Sequence, residues 1–472
     1  MIKSSVPWIA LALAGAGVGL MQLRSLAQAK LPQSDLSVDA VQLILQRRID
    51  QEKQSLGIVV GLITPEGRKI VSHGRLAQSD SRKPDGNTVF EIGSISKVFT
   101  ALLLADCVER GELRLSDPIS RFLPKSVRVP HRNGKEITLI DLATHTSGLP
   151  RLPDNFNPQD PENPYADYTV EQLHEFLSRH QLTRDIGTKY EYSNLGFGLL
   201  GQILSLESGM NYETLVTTRI AQPLKMESTQ IQLSSELRSR LATGHTSTGQ
   251  PTKSWDFPTL AGAGALRSTT QDLLDFLAAN LGLIESNLVP AMQRTQVAQR
   301  PTGTPDLDIG LGWHIFRKYG REIVWHNGGT GGYRSFIGLD KKKRLGVVVL
   351  SNSSNSIDDI GLHLLEKQFP LMKHEPPKER KAIVVNPKLY EPYVGRYELS
   401  PNFILTITKE GDRLFAQATG QPMIELFPES ETRFFTKEVD AQITFIKDQQ
   451  GQVTQLILHQ AGQDSAAKRL RS

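Results

Sequence analysis

The stretch E-I-G-S-I-S-K-V-F-T at residues 91–100 contains Ser94-Ile95-Ser96-Lys97, a hydroxyl three residues ahead of an amine. A serine hydroxyl is a poor nucleophile until a base takes its proton. Lysine is such a base only when neutral, so burial or nearby cations must lower its pKa by roughly 3 units. Three-residue spacing sets both groups on one face of a helix. Ser94 follows Gly93 where an apolar helical pattern begins, so helix-end N–H groups would lie where an acyl oxyanion develops. The same spacing recurs at Ser465-Ala466-Ala467-Lys468, in a polar tail without an apolar helix face. Spacing alone is weak evidence.

Two further elements decide between the pairs. Tyr192-Ser193-Asn194 lies in a loop just before the apolar helical run L-G-F-G-L-L-G-Q-I-L. A tyrosine hydroxyl could relay protons between Ser94 and Lys97, and an asparagine amide could hold a substrate amide. Standing alone, this motif reads better as a capping Asn beside a packed Tyr. His326-Asn327-Gly328 opens V-W-H-N-G-G-T-G-G-Y-R-S-F-I-G-L-D, a glycine-rich entry to a strand. Glycines admit a substrate close to the backbone, and the Gly329 N–H could join that of Ser94 as an oxyanion donor. Lys318-Tyr319-Gly320 and Lys409-Glu410-Gly411 share the cation-x-Gly form but read as hairpin turns. No P-loop Lys-Ser/Thr follows the glycines and no Gly-x-Ser-x-Gly elbow occurs. His145 has no carboxylate or His at ligand spacing and reads as structural; no metal or cofactor is expected. Trp325 and Tyr333 suit core packing at least as well as a cleft wall, and Cys107, the single cysteine, reads as a buried thiol.

The elements that must position these residues follow from the hydrophobic pattern. A helix is expected near residues 38–54, then a hairpin of Gly57–Ile63 and Arg68–His73 around Pro65-Glu66-Gly67. A helix over 95–110 stops at Gly111, and residues 112–300 are mostly helical apart from a loop at 150–168. Strand patterns return in G-L-G-W-H-I-F-R, R-E-I-V-W-H, Y-R-S-F-I-G-L-D and R-L-G-V-V-V-L-S-N, with Lys341-Lys342-Lys343-Arg344 as a solvated hairpin tip. Strands at both ends of a helical middle predict an α+β fold, one antiparallel sheet flanked by helices with a helical subdomain inserted. Residues 373–388 are proline-rich and charged, a linker. Beyond it N-F-I-L-T-I-T, R-L-F-A-Q-A, A-Q-I-T-F-I and V-T-Q-L-I-L-H-Q alternate as short strands, so residues 389–472 are expected to form a small all-β sheet or barrel.

With 54 basic and 50 acidic residues the net charge is 54 − 50 = +4, with no dense basic cluster, which argues against nucleic-acid binding. The N-terminus carries Lys3, an apolar run over 6–21 and Ala27-Gln28-Ala29, a signal-peptide pattern with cleavage after Ala29. An uncleaved anchor is the alternative; either places the folded part, periplasmic or secreted, outside the cytoplasm. No cysteine follows the apolar run for lipid attachment.

Ser94-x-x-Lys97, Tyr192-x-Asn194 and His326-x-Gly328, in that order, resemble the three active-site elements of the penicillin-recognising serine hydrolases. That superfamily includes class C β-lactamases, D-Ala-D-Ala peptidases, D-aminopeptidases and β-lactamase-like esterases. I-T-L-I-D-L-A-T-H-T-S-G-L-P at 137–150, L-S-D-P-I-S-R-F-L-P at 115–124 and A-G-A-G-A-L-R-S-T at 261–269 extend the likeness over roughly 40–370. The tail resembles lipocalin-like domains appended to some members. The resemblance implies a hydrolase domain over 30–372, Ser94 as acylated nucleophile, Lys97 as its base and Tyr192 as proton shuttle. It implies Asn194 as amide anchor, Ser94 and Gly329 N–H groups as oxyanion hole, and His326 and Gly328 as substrate-binding. Class C β-lactamases carry lysine where this chain has His326, which resembles certain DD-peptidases and D-aminopeptidases. A histidine there is only partly charged near neutrality and attracts a carboxylate less strongly. The first reading is therefore a peptidase or amidase acting on D-amino-acid peptides. An esterase, a class C-type β-lactamase and a non-hydrolytic β-lactam or peptide sensor stay open. Oligomeric state is not legible in the sequence.

Overall fold

The computed structural model describes residues 36–376, 380–400, 403–419, 423–437, 441–460 and 463–470. The expected leader lies outside the described residues. Helix α1 (Val38–Gln46) starts on Ser37, whose hydroxyl accepts the Ala40 N–H at 3.2 Å, and runs on as a wider turn over Arg47–Gln51. It leads to β1 (Gly57–Thr64) and β2 (Gly67–Gly74), a hairpin whose register pairs Thr64 with Gly67 across Pro65 and Glu66.

Six more strands complete the sheet: β3 (Arg300–Pro301), β4 (Leu307–Ile309), β5 (His314–Lys318), β6 (Arg321–Gly329), β7 (Arg334–Asp340) and β8 (Leu345–Ser351). Their order is β2-β1-β8-β7-β6-β5-β4-β3, antiparallel throughout. The pairing of β1 with β8, Ile58 opposite Ser351 to Ile63 opposite Gly346, joins the two ends of this region. β1 reads as a continuous apolar run because both faces of the sheet are covered. Val59 and Ile63 enter one core cluster, with α2 (Ser96–Glu109), α3 (Asn194–Ser208) and α4 (Thr270–Asn280). Ile58, Val60 and Leu62 enter another, with Val41 and Leu45 of α1 and Ile360 and Leu364 of α5 (Asp358–Leu365).

α2 is apolar around most of its circumference because neighbours enclose it on all sides. It ends before Gly111, whose φ of +73° no longer continues a helix. Between α2 and β3 lie α3, α4 and shorter helices such as Leu139–Ala143, Val170–Arg179 and Tyr212–Val216, but turns and loops take up more of this region than helices, so it is less helical than expected from its sequence. The Lys341–Arg344 run turns between β7 and β8. Cys107 is buried in α2, and burial with Glu112 pushes its thiol up to about 12. Tyr333 is in the core, its hydroxyl on the Ala242 carbonyl at 2.5 Å, and Trp325 packs on Phe336 at 5.8 Å. Both are packing residues.

The tail closes into a barrel of eight strands, from Gly395–Ser400 to Gln463–Arg469. Tyr393, Tyr397, Phe434 and Phe445 fill it, with Tyr393 stacked on Phe445 at 4.2 Å. The four strands read from sequence recur as Phe403–Glu410, Arg413–Ala418, Ala441–Lys447 and Val453–Gln460. One expectation is corrected: Ser465 and Lys468 lie in the last barrel strand rather than in a polar tail. In a strand, residues three apart point to opposite faces, so this pair cannot meet.

Candidate active site

The chain passes from a short strand, Val89–Glu91, through a single 3₁₀ turn at Gly93–Ile95 into α2. Ser94 sits in that turn and Lys97 in the first turn of α2, on the same face. Lys97 is wholly buried; its Nζ donates to Ser94 Oγ at 2.9 Å and to the Ala263 carbonyl at 2.7 Å. The first turn of α2 also holds the Ala263 segment. Thr100 Oγ1 donates to the Gly262 carbonyl at 2.7 Å, and the Leu266 N–H donates to Ser96 Oγ at 3.0 Å. Burial, assisted by the charge of Arg151, holds the Lys97 ammonium well below its ordinary value. A neutral amine at this distance can take the Ser94 proton while keeping an N–H on Ala263.

Tyr192 lies over this pair, its ring centroid 4.8 Å from Lys97 Nζ. Burial pushes its hydroxyl up to about 12, against the opposing effects of Arg151 and of its hydrogen bond with Ser94. It is a phenol, not a phenolate, near neutral pH. Ser193 caps α3: its hydroxyl accepts the Gly196 N–H at 2.8 Å and donates to the Pro150 carbonyl at 2.7 Å. Asn194 is buried, and its Nδ2 donates to the Tyr165 hydroxyl at 2.9 Å while its Oδ1 has no partner. An amide oxygen left in this state can accept a substrate N–H.

β6 brings the third element against the nucleophile's turn. A methyl group on Gly93, whose φ is +48°, would stand 2.7 Å from the Gly329 nitrogen. One on Gly328 would collide with the Ile92 carbonyl oxygen, which also accepts the Ser335 hydroxyl at 2.7 Å. Only glycines let the two backbones approach so closely. His326 is buried, with Nδ1 2.5 Å from the Asn327 carbonyl and Nε2 unpartnered. Burial, with His314 and Lys97 nearby, holds it well below 6.5. The partial charge expected from its residue type is thus reduced to a neutral ring near neutrality.

All seven residues singled out from sequence, Ser94, Lys97, Tyr192, Asn194, His326, Gly328 and Gly329, belong to this one region. Sequence reasoning missed two more, Arg151 and His314, and read a third, His145, only as structural. Arg151 is part-buried against the Tyr192 ring, its guanidinium carbon 5.1 Å from the centroid. His314 packs 5.1 Å from His326 and shares a 3.1 Å hydrogen bond with the Tyr190 hydroxyl; burial and Lys97 lower its pKa to about 4. His145 stacks on Tyr192 at 4.4 Å, and its Nδ1 accepts the Ser193 N–H at 3.0 Å. It thus orients the tyrosine motif, a structural role in keeping with its reading from sequence. Its signal was the T-H-T-S-G-L-P loop; Arg151 and His314 had no local pattern.

A two-faced antiparallel sheet with a serine–lysine pair at the head of a buried helix defines a serine hydrolase of the β-lactamase and penicillin-binding-protein type. The chain belongs to the beta-lactamase family, whose model matches residues 45–365, and a second family, described as a domain of unknown function (DUF3471), matches 379–469. Penicillin-binding protein 4* of Bacillus subtilis is 28% identical over 444 residues, covering 87% of this chain and 94% of its own. The D-alanyl-D-alanine-carboxypeptidase/endopeptidase AmpH of Escherichia coli is 30% identical over 329 residues, 64% of this chain and 83% of its own. Among solved structures, a class C beta lactamase from Rhodobacter sphaeroides superposes with a TM-score of 0.59 at 26% identity, over 70% of this chain and 98% of its own.

Proposed function

We propose that this is an exported hydrolase that forms an acyl-enzyme on Ser94 and cleaves amides beside D-amino acids, as in peptidoglycan-type peptides. The observation that carries the reading is the wholly buried Lys97 amine, 2.9 Å from Ser94 Oγ and held neutral by its surroundings. Lys97 takes the hydroxyl proton as Oγ bonds to the substrate carbonyl carbon. The N–H groups of Ser94 and Gly329 receive the oxyanion. Tyr192, a phenol hydrogen-bonded to Ser94, passes a proton to the departing amine as the C–N bond breaks, and Lys97 returns one to Tyr192. Asn194 Oδ1 accepts an N–H of the acyl side, and the backbone of β6 at His326–Gly328 lies alongside. Water then attacks the ester, its proton going to Tyr192 as Tyr192 passes its own to the neutral Lys97, and Lys97 returns that proton to Ser94 Oγ as the ester C–O bond breaks. The similarity to the D-alanyl-D-alanine-carboxypeptidase/endopeptidase AmpH supports the D-amino substrate class. The leader pattern of residues 1–29 supports export; among the described residues no helix is long and apolar enough to cross a membrane.

A second reading, a β-lactamase-like esterase, is favoured by neutral His326, which offers a substrate carboxylate no charge at the place where class C enzymes carry lysine. A panel of D-Ala-D-Ala peptides, D-amino amides, short esters and a β-lactam separates the readings, with intact-mass detection of the adduct. Ser94→Ala is expected to lower hydrolysis at least about a thousandfold. An adduct on any peptide lacking Ser94, or steady hydrolysis by the alanine variant, overturns the mechanism.

A further inference from the structure

Among the described residues, Arg151 is a cation at the pocket around Ser94 for which no ion pair is found. Lys97, His326 and His145 are buried and held neutral. The Arg151 guanidinium is a planar cation that presents five N–H donors in a fork. It is part-buried and rests on the Tyr192 ring at 5.1 Å; among the described residues its side chain has no hydrogen bond or ion pair. Asp154, the acid nearest along the chain, pairs with Arg179. Its field nevertheless acts on Lys97, Tyr192, Tyr165, Tyr190 and His145, groups that surround the pocket. The backbone fixes its place: the N–H groups of Asn194 and Leu195 both donate to the Arg151 carbonyl, at 3.0 and 3.1 Å. Arg334, the other guanidinium at the pocket, lies against Gly329 but shares its surroundings with Asp358.

A charged fork with no ion pair among the described residues, resting on the Tyr192 ring, suits an anion that arrives with the substrate. We propose that Arg151 is a specificity residue of this enzyme and binds a substrate carboxylate beside the Tyr192 ring. This rests on the Ser94 acyl-enzyme reading and deepens it, because it makes the preferred acyl donor an anion. The carboxylate can belong to the leaving amino acid or to the acyl chain.

The test uses two matched pairs of substrates with the full chain. One is a peptide ending in D-Ala-D-Ala with a free carboxylate or a carboxamide; the other is an ester with a succinyl or an acetyl-capped acyl chain. In one pair the carboxylate member is expected to have a kcat/KM at least about tenfold higher, and the pair that shows it identifies the source. Arg151→Gln is expected to reduce that ratio to about threefold or less, mainly through KM, and Arg151→Lys to retain part of it. His326→Asn is expected to leave the ratio in place. Equal losses for both members in Arg151→Gln would mean that Arg151 acts only through Lys97, and would overturn the inference, as would a ratio that the substitution does not move. Ser94 adducts with no carboxylate preference in either pair overturn it while leaving the acyl-enzyme reading standing. No Ser94 adduct from any member removes that reading and this inference together.

Discussion

Lys97 shows what a buried base demands of a protein. Its amine is neutral in the folded state and protonated in the unfolded one up to about pH 10.4, so the unfolded chain binds more protons at neutral pH. Stability contributed at this site therefore rises as pH is raised toward that value. Lys97→Met is expected to lower acylation at least about a thousandfold. Its melting temperature relative to the parent should fall steadily as pH goes from 7 to 10, because only the parent gains. Thermal melts of both proteins at several pH values check the sign; a difference independent of pH would mean that Lys97 is charged in the fold. The residues proposed for this chemistry were legible because each motif is local: Ser94 with Lys97 spans one helical turn, and Tyr192 with Asn194 enters one helix. Arg151 and His314 were not, since their relation to Tyr192 and His326 exists only after distant segments pack.

At the scale of elements, the site depends on how closely β6 approaches the turn before α2. Ser335 ties the Ile92 carbonyl to β7 at 2.7 Å, and Gly328 leaves the room for that contact. Gly328→Ala is expected to destabilise the protein by about 1–3 kcal/mol, as overpacking does, and to slow acylation by moving the Gly329 N–H from Ser94. A denaturant midpoint and the rate of Ser94 adduct formation measure the two effects; an unchanged midpoint would show that the strand can shift freely. The long strands were readable because alternation or a bounded apolar run marks them. The short strands β3 and β4, at one end of the sheet, were not, being two and three residues long. In the barrel, Gln463–Arg469 escaped notice because its sequence, Q-D-S-A-A-K-R, owes its strand state to its neighbours and not to propensity.

At the scale of the molecule, the barrel has a core of its own, drawn from residues Tyr390 to Ala467, and shares none of it with the clusters on the two faces of the sheet. Residues 380–472 expressed alone are expected to give an all-β circular dichroism spectrum and a cooperative melt. A disordered spectrum would mean that the barrel needs the preceding region to fold. The sheet is less self-sufficient along the chain. β1 is made early but finds its central neighbour, β8, only when Leu345–Ser351 has been synthesised. Until then its Ile58, Val60 and Leu62 face has no lasting cover, and the polypeptide leaving the ribosome cannot complete this half of the molecule. Such a chain stays open to threading through a narrow channel for most of its synthesis, which is what the export proposed above would require.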